Sequence, residues 1–353
     1  MYKKFFYVFF CKPLAFKKYY VIILNANGLQ QRKKGFYMKK LFYCLNLIIL
    51  SFSLIFLTSC DNKEYEIVTT LFPQYDFTNQ IVGDKLNVKL LPKAGSEVHN
   101  YELTAKDIEM IKNSKLFIYT SDVMETWVSD LLKSNPDINY LDLSKNITLI
   151  GSTHSHEEDD ESKDPHYWTS PINAGIMIDE ILEEVIKLDN SNKNFYTTNA
   201  TNYKNEILKV HEDLKTLLLN QNKTIYYAGH NALGYFAKEY GLNIVVLDPQ
   251  YENGTITSSS LKSMIDSLKE TNPKYLFIAE LSNTYAADTI KEEYEKDTKN
   301  TLEIKELHGY HNVTSEQLKN KVSYLDLLES NYNYLKDDLS WLKLIIYQLN
   351  MGI

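Results

Sequence analysis

At 353 residues the chain is long for one domain, and two lobes are the natural expectation. Its formal charge of −8 hides an asymmetry: residues 1–59 hold ten of the 38 Lys/Arg and none of the 46 Asp/Glu, which leaves the remainder near −18. A surface of that sign repels phosphate, which excludes nucleic acid as a natural partner and favours a cation as ligand.

Met38-Lys-Lys followed by the apolar run Leu41–Leu57 has the charged start and apolar middle of a signal peptide, assigned here to residues 38–59. A signal peptide opens a chain, so residues 1–37 read as a doubtful upstream extension, with a two-part membrane anchor as the alternative. The run ends Leu57-Thr-Ser-Cys60, which resembles the bacterial lipobox, where the Cys is lipidated and becomes the mature N-terminus. A transmembrane anchor is the competing reading, but an apolar run of this length is marginal against the roughly 20 residues a span needs. Cys11 and Cys44 lie upstream, so the mature chain keeps only Cys60, can form no internal disulfide, and depends on its core for stability. Residues 60–65 make a short tether.

Beyond the tether, residues 66–171 read as an N-terminal α/β lobe. Strand-like runs cover Glu66–Phe72, Asn87–Leu91, Lys115–Tyr119 and Tyr140–Leu143, with helical patterns between them that include Thr104–Asn113 and Met124–Lys133. Short apolar strands alternating with helices predict a parallel sheet. Residues 172–222 are helical in pattern. Their second part, Phe195–Leu219, places Tyr203, Ile207, Val210, Leu214 and Leu217 at three- and four-residue steps. A helix of about 25 residues is nearly 40 Å long at about 1.5 Å per residue, enough to run down both lobes as a rigid connector. Residues 223–353 repeat the first pattern with strands at Thr224–Ala228, Asn243–Leu247, Tyr275–Ala279 and Leu302–Glu306 and helices such as Ser259–Lys269. The expected fold is therefore α/β, in two lobes of four mostly parallel strands each, joined by one long helix. A separate feature is the loop of residues 154–163, where His154 and His156 sit among acids with no apolar residue to bury, so it should be solvated.

Four histidines stand in distinctive contexts: Gly95-Ser-Glu-Val-His99-Asn-Tyr-Glu102, Asp164-Pro-His166-Tyr-Trp168, Ala228-Gly-His230-Asn-Ala-Leu-Gly-Tyr-Phe236 and Leu307-His-Gly-Tyr-His311-Asn-Val-Thr314. Neutral imidazole is a borderline-soft ligand that suits zinc above the hard cations. No HExxH or CxxC organises them, so only strands ending at a common cleft could assemble them. His308 lies close enough to replace His311, or water could fill the fourth position. His211, inside the connector, reads as a solvated helix residue.

These contexts, the lipobox and the two-lobe pattern together resemble the zinc-binding lipoproteins of bacterial ABC importers across about residues 66–340. The first family motif is similar to Val98-His99-Asn-Tyr101-Glu102-Leu103-Thr104, here without its two prolines. The second is similar to Asp164-Pro165-His166-Tyr-Trp168-Thr169-Ser170-Pro171, with Thr-Ser in place of Leu-Asp. The third is intact through His230, Gly234, Tyr235 and Phe236. His311–Thr314 carries the last, and Tyr324-Leu-Asp-Leu-Leu resembles the closing helix.

The resemblance implies zinc as ligand at His99, His166, His230 and His311. Manganese-type relatives carry carboxylates where this chain has His230 and His311. It also implies Glu280 as a carboxylate that orients an imidazole, with Glu102 as another, and His154 and His156 as an auxiliary metal-capturing loop. It implies further a monomeric, extracytoplasmic lipoprotein anchored to the cell membrane at Cys60, serving an ABC permease and its ATPase and catalysing nothing. The alternatives are a zinc hydrolase, with Glu102 or Glu280 as base, and a surface adhesin or metal-storage protein on the same fold.

Overall fold

A computed structural model describes residues 65–151, 163–219, 221, 223–230, 232–247 and 257–351. The leader, Cys60, His154 and His156 lie outside the described residues. From Glu64 on, the chain is one compact unit.

Among the described residues eight strands form where apolar runs predict them: the fifth matches its run, the first loses its last three residues, and no other strand end moves by more than one residue. The first sheet holds β1 (Ile67–Thr69), β2 (Val88–Leu90), β3 (Leu116–Tyr119) and β4 (Tyr140–Asp142). The second holds β5 (Thr224–Ala228), β6 (Asn243–Val246), β7 (Tyr275–Ile278) and β8 (Glu303–Glu306). Within the two sheets every strand pairing is parallel, in the orders β2-β1-β3-β4 and β6-β5-β7-β8. One topology therefore occurs twice. In each sheet the strand order reverses beside the first strand, and crevices open at the carboxyl ends of the strands at such points.

Flanking these sheets are α1 (Phe72–Val82), α2 (Ala105–Asn113), α3 (Val128–Ser134), α4 (Pro171–Leu188), α5 (Lys193–Leu218), α6 (Gly234–Tyr240), α7 (Ser258–Thr271), α8 (Tyr285–Thr298), α9 (Ser315–Lys319) and α10 (Tyr324–Met351). Phe72, expected to end a strand, opens α1 instead, because Pro73 in the first turn suits a helix start. The helix expected from Met124 begins at Val128. Ahead of it the Ser121 hydroxyl accepts the Met124 N–H and the Glu125 carboxylate takes the Thr120 and Ser121 N–H groups, fixing a turn.

The connector α5 has 26 residues and buries Tyr196, Ala200, Tyr203, Ile207, Val210, His211, Leu214 and Leu218. His211 corrects the solvated reading: it is 7 % exposed, with Nδ1 2.9 Å from both Tyr240 Oη and Glu239 Oε1. It lies four residues after Ile207, on the buried stripe, and the polar partners on α6 make its burial tolerable.

The sheets do not close over separate cores. The largest apolar cluster contains Ile67 and Leu116 from the first sheet and Tyr227 and Phe277 from the second, bridged by Ile207 and Leu214 of α5 and Tyr324 and Leu328 of α10. Only the outer faces have clusters of their own. Polar bonds cross the same boundary: the Asp76 carboxylate on α1 accepts the Tyr203 hydroxyl at 2.5 Å and the Tyr324 N–H at 3.0 Å.

Helix α10 is clasped to the second sheet by an ion pair, Lys223 Nζ to Asp338 Oδ2 at 2.7 Å, both side chains buried. Asp338 Oδ1 also accepts the Lys274 N–H. Breaking a buried pair from one side leaves an uncompensated charge, so Asp338→Ala should cost about 3–5 kcal/mol of stability. Chemical denaturation of parent and variant measures this; a change near zero would show that the clasp is dispensable.

Candidate metal centre

Each of the four motif histidines follows the carboxyl end of a strand. His99 lies in the loop after β2, His166 after β4 at the head of a 3-10 turn (Tyr167–Thr169), His230 two residues past β5, and His311 past β8. Strand direction brings them together: one ligand atom from each lies within 4.8 Å of all the others. His166 Nε2 and His230 Nε2 are 3.0 Å apart, and the His99 ring centroid is 4.7–5.3 Å from the other three. Four nitrogens around tetrahedral zinc at ~2.0–2.1 Å stand about 3.4 Å apart, wider than the His166–His230 pair and inside the 4.8 Å spread of the group, so small shifts of the rings suffice. His311 Nε2 is buried without a hydrogen-bond partner, a deficit that coordination would relieve. The cleft is about 330 Å³ and is lined on one side by the 95–100 loop and on the other by Glu280, Leu281, Ser282 and Asn312.

His308 is not one of the group. It is buried, and its Nδ1 accepts the Tyr310 N–H at 2.8 Å. That bond helps hold Tyr310 at φ +67°, a left-handed conformation that is strained for a bulky residue by about 1–3 kcal/mol. Asn331 donates to the Tyr310 hydroxyl, and Trp168 Nε1 donates to Gly309 O, so the turn that presents His311 is fixed from several sides.

One orienting device occurs twice. Asp164 Oδ1 accepts both the backbone N–H of His166 (2.9 Å) and its Nδ1 (2.7 Å). Glu280 Oε1 accepts the backbone N–H of His311 (2.9 Å) and its Nδ1 (2.8 Å), while Oε2 accepts the Gly309 N–H. A carboxylate on Nδ1 assigns the proton there and turns the Nε2 lone pair to the cleft. Burial raises the Glu280 carboxyl, but attraction to His308 and His311 in their protonated forms and the bonds from His311 and Gly309 outweigh it and hold the group well below its ordinary range. Asp164 and Glu280 together carry the charge that a buried dication needs for neutrality.

Glu280, which the resemblance implies as an orienting carboxylate, bonds the ring of His311. Asp164 went unassigned, although the carboxylate two residues before His166 was its visible signal. Glu102 is a correction: it is exposed and does not line the cleft. Glu97 stands there instead, its Oε1 accepting the Val98 and His99 N–H groups. The chain turns at His99, so a residue before it reaches back while one after it leaves toward α2.

Departures from the family motifs are locally accommodated. Ser170 caps α4 in place of an acid, accepting the Asn173 N–H and donating to Glu239. Thr169 donates to His166 O. Gly229 lets β5 approach β7, since a Cβ there would lie 3.0 Å from Ala279 Cβ and 3.1 Å from its nitrogen. At Gly234 a Cβ would lie 2.6 Å from Asp164 Oδ2.

Comparisons with known proteins agree with this geometry. Residues 67–338 match the family described as "Zinc-uptake complex component A periplasmic". The chain is 34% identical over 298 residues to the "High-affinity zinc uptake system protein ZnuA" of Bacillus subtilis, covering 80% of this chain and 90% of that protein. Among solved structures, the metal-dependent lipoprotein YcdH from Bacillus subtilis superposes with a TM-score of 0.65 at 31% identity, over 78% of this chain and 98% of that one. The Zn(II)-bound ZnuA-like domain of Streptococcus pneumoniae AdcA gives 0.65 at 25% identity, again over 78% and 98%.

Because Asp164 is buried and bonded twice to His166, it cannot yield cheaply to a methyl group. Gly234→Ala should therefore weaken metal binding by roughly 10–100-fold, the range for lost partners of metal-bound His, with little loss of fold. Titration with zinc measures it, and undiminished affinity would show that Asp164 does not orient His166.

Proposed function

The chain belongs to the zinc-uptake complex component A family, and from that premise we propose that it captures zinc in the cleft between its two sheets through the imidazoles of His99, His166, His230 and His311. The observation that carries this reading is the convergence of four imidazoles from four separate connecting segments, two of them backed by buried carboxylates. Its role is to bind and hand over, to the permease and ATPase of an ABC importer. Lipid on Cys60 keeps it at the extracytoplasmic face of the cell membrane. Two or more acyl chains, at about 0.8 kcal/mol per buried methylene, anchor it durably where one would not. The acid-rich loop with His154 and His156 draws zinc toward the cleft.

The family is one of binding components, not enzymes. A hydrolase would need a base beside the metal, but Glu280 is engaged by His311 and Gly309, Glu97 is engaged by the Val98 and His99 N–H groups, and Glu102 stands outside the cleft.

Capture is coordination by neutral imidazoles. Protons compete for the same nitrogens, so affinity falls as pH drops toward the ordinary His pKa of ~6.5. A donor set without carboxylate oxygen favours zinc over manganese, which takes more oxygen ligands. Calorimetric titration tests this. The parent should bind one zinc in the cleft and bind it less tightly at pH 6 than at pH 8, and manganese should not displace it at equal free concentration. The double variant His99→Ala, His230→Ala should lose affinity by orders of magnitude. Tight cleft binding by the double variant would refute the assignment.

A further inference from the structure

Of the four imidazoles, His99 is the exposed one, and it rides on residues 91–104, which carry neither helix nor strand. Such a stretch should position a ligand poorly. It is nevertheless fastened at several points, and the fastenings come from the segment that carries His311. The Asn312 side chain, 1 % exposed, donates from Nδ2 to Lys93 O at 2.9 Å and to Ser96 O at 2.8 Å, while its Oδ1 accepts the Val313 N–H. The Gly95 N–H donates to Val313 O at 2.8 Å, and Ser315 Oγ donates to Ala94 O at 3.4 Å. Gly95 reaches this contact at φ +82°, which suits glycine.

We propose that Asn312 is a positioning residue: it ties the loop bearing His99 to the segment bearing His311, and so sets how long bound zinc stays. The inference rests on the zinc-binding reading of this cleft. Residues 311–315 form a strap in which one ligand and the anchor of another are consecutive. Asn312 touches no ligand side chain in these bonds and acts on His99 through the loop backbone. Every hydrogen-bonding group of its amide is in use, so no other residue type reproduces the pattern. Aspartate is the sharpest probe, because it keeps the acceptor for Val313 and sets carboxylate oxygen against two carbonyls.

Three measurements on parent, Asn312→Asp and the milder Gly95→Ala test the proposal. In chelator competition, zinc should leave both variants faster, by roughly tenfold or more for Asn312→Asp, since lost buried hydrogen bonds are of that size. In a His99→Ala background the Asn312→Asp effect should largely vanish, because the residue acts through His99. The cobalt-substituted Asn312→Asp protein should show the electronic spectrum of His99→Ala rather than that of the parent. A purely structural Asn312 would lower stability but leave the additive rates and the parent spectrum, and that result overturns the proposal. Hydrogen exchange in metal-free protein separates this idea from the zinc assignment. Asn312→Asp should speed exchange at the Gly95 amide whatever metal the cleft takes, and unchanged exchange would refute the anchor. A parent without zinc affinity would instead refute the functional reading.

Discussion

Four imidazoles from two sheets must stand within a few ångström of one another before any metal arrives, and the rest of the molecule serves that requirement. Imidazoles left loose would have to be ordered at the moment of binding, and the ordering entropy would come out of the affinity. Here the ordering is done during folding. The Asp164 and Glu280 carboxylates each grip a backbone N–H and the Nδ1 of the same histidine, which fixes ring and tautomer together. They also place two negative charges behind two neutral ligands, so a dication can enter without leaving net charge in the cleft.

That local order depends on the sheets being held at a fixed spacing. The apolar cluster running through both sheets, α5 and α10 prevents the lobes from behaving as independent bodies, and Asp76 adds a buried polar bond between α1, α5 and α10. With a 26-residue helix along the boundary, wide hinge opening would expose much of that shared core. Exchange of ligand therefore falls to local elements at the cleft mouth, such as the exposed loop that carries His99.

Much of this was legible in the sequence. Central strands such as β3 and β7 are buried on both faces and read as unbroken apolar runs, so their positions and parallel pairing followed from composition and spacing. The histidine contexts were legible because each combines an imidazole with the residues that fix its turn, as in Trp168 after His166 and Gly234 after His230. What escaped was relational. Periodicity placed His211 on a helix but could not reveal that Glu239 and Tyr240 would come to meet it. Nothing in the pattern near Glu102 told which side of His99 the loop would fold over, and so Glu97 was passed by. Two βα repeats pointed to two lobes but not to the core they share, because a repeat carries no information about the apolar surface it shares with its twin.

The central claim is that four nitrogens, and no oxygen, hold the metal. X-ray absorption at the zinc edge of the loaded protein tests this most directly. The account predicts four nitrogen scatterers at about 2.0–2.1 Å with the outer-shell pattern of imidazole rings. A fifth ligand, or an oxygen replacing one of the four, would contradict it.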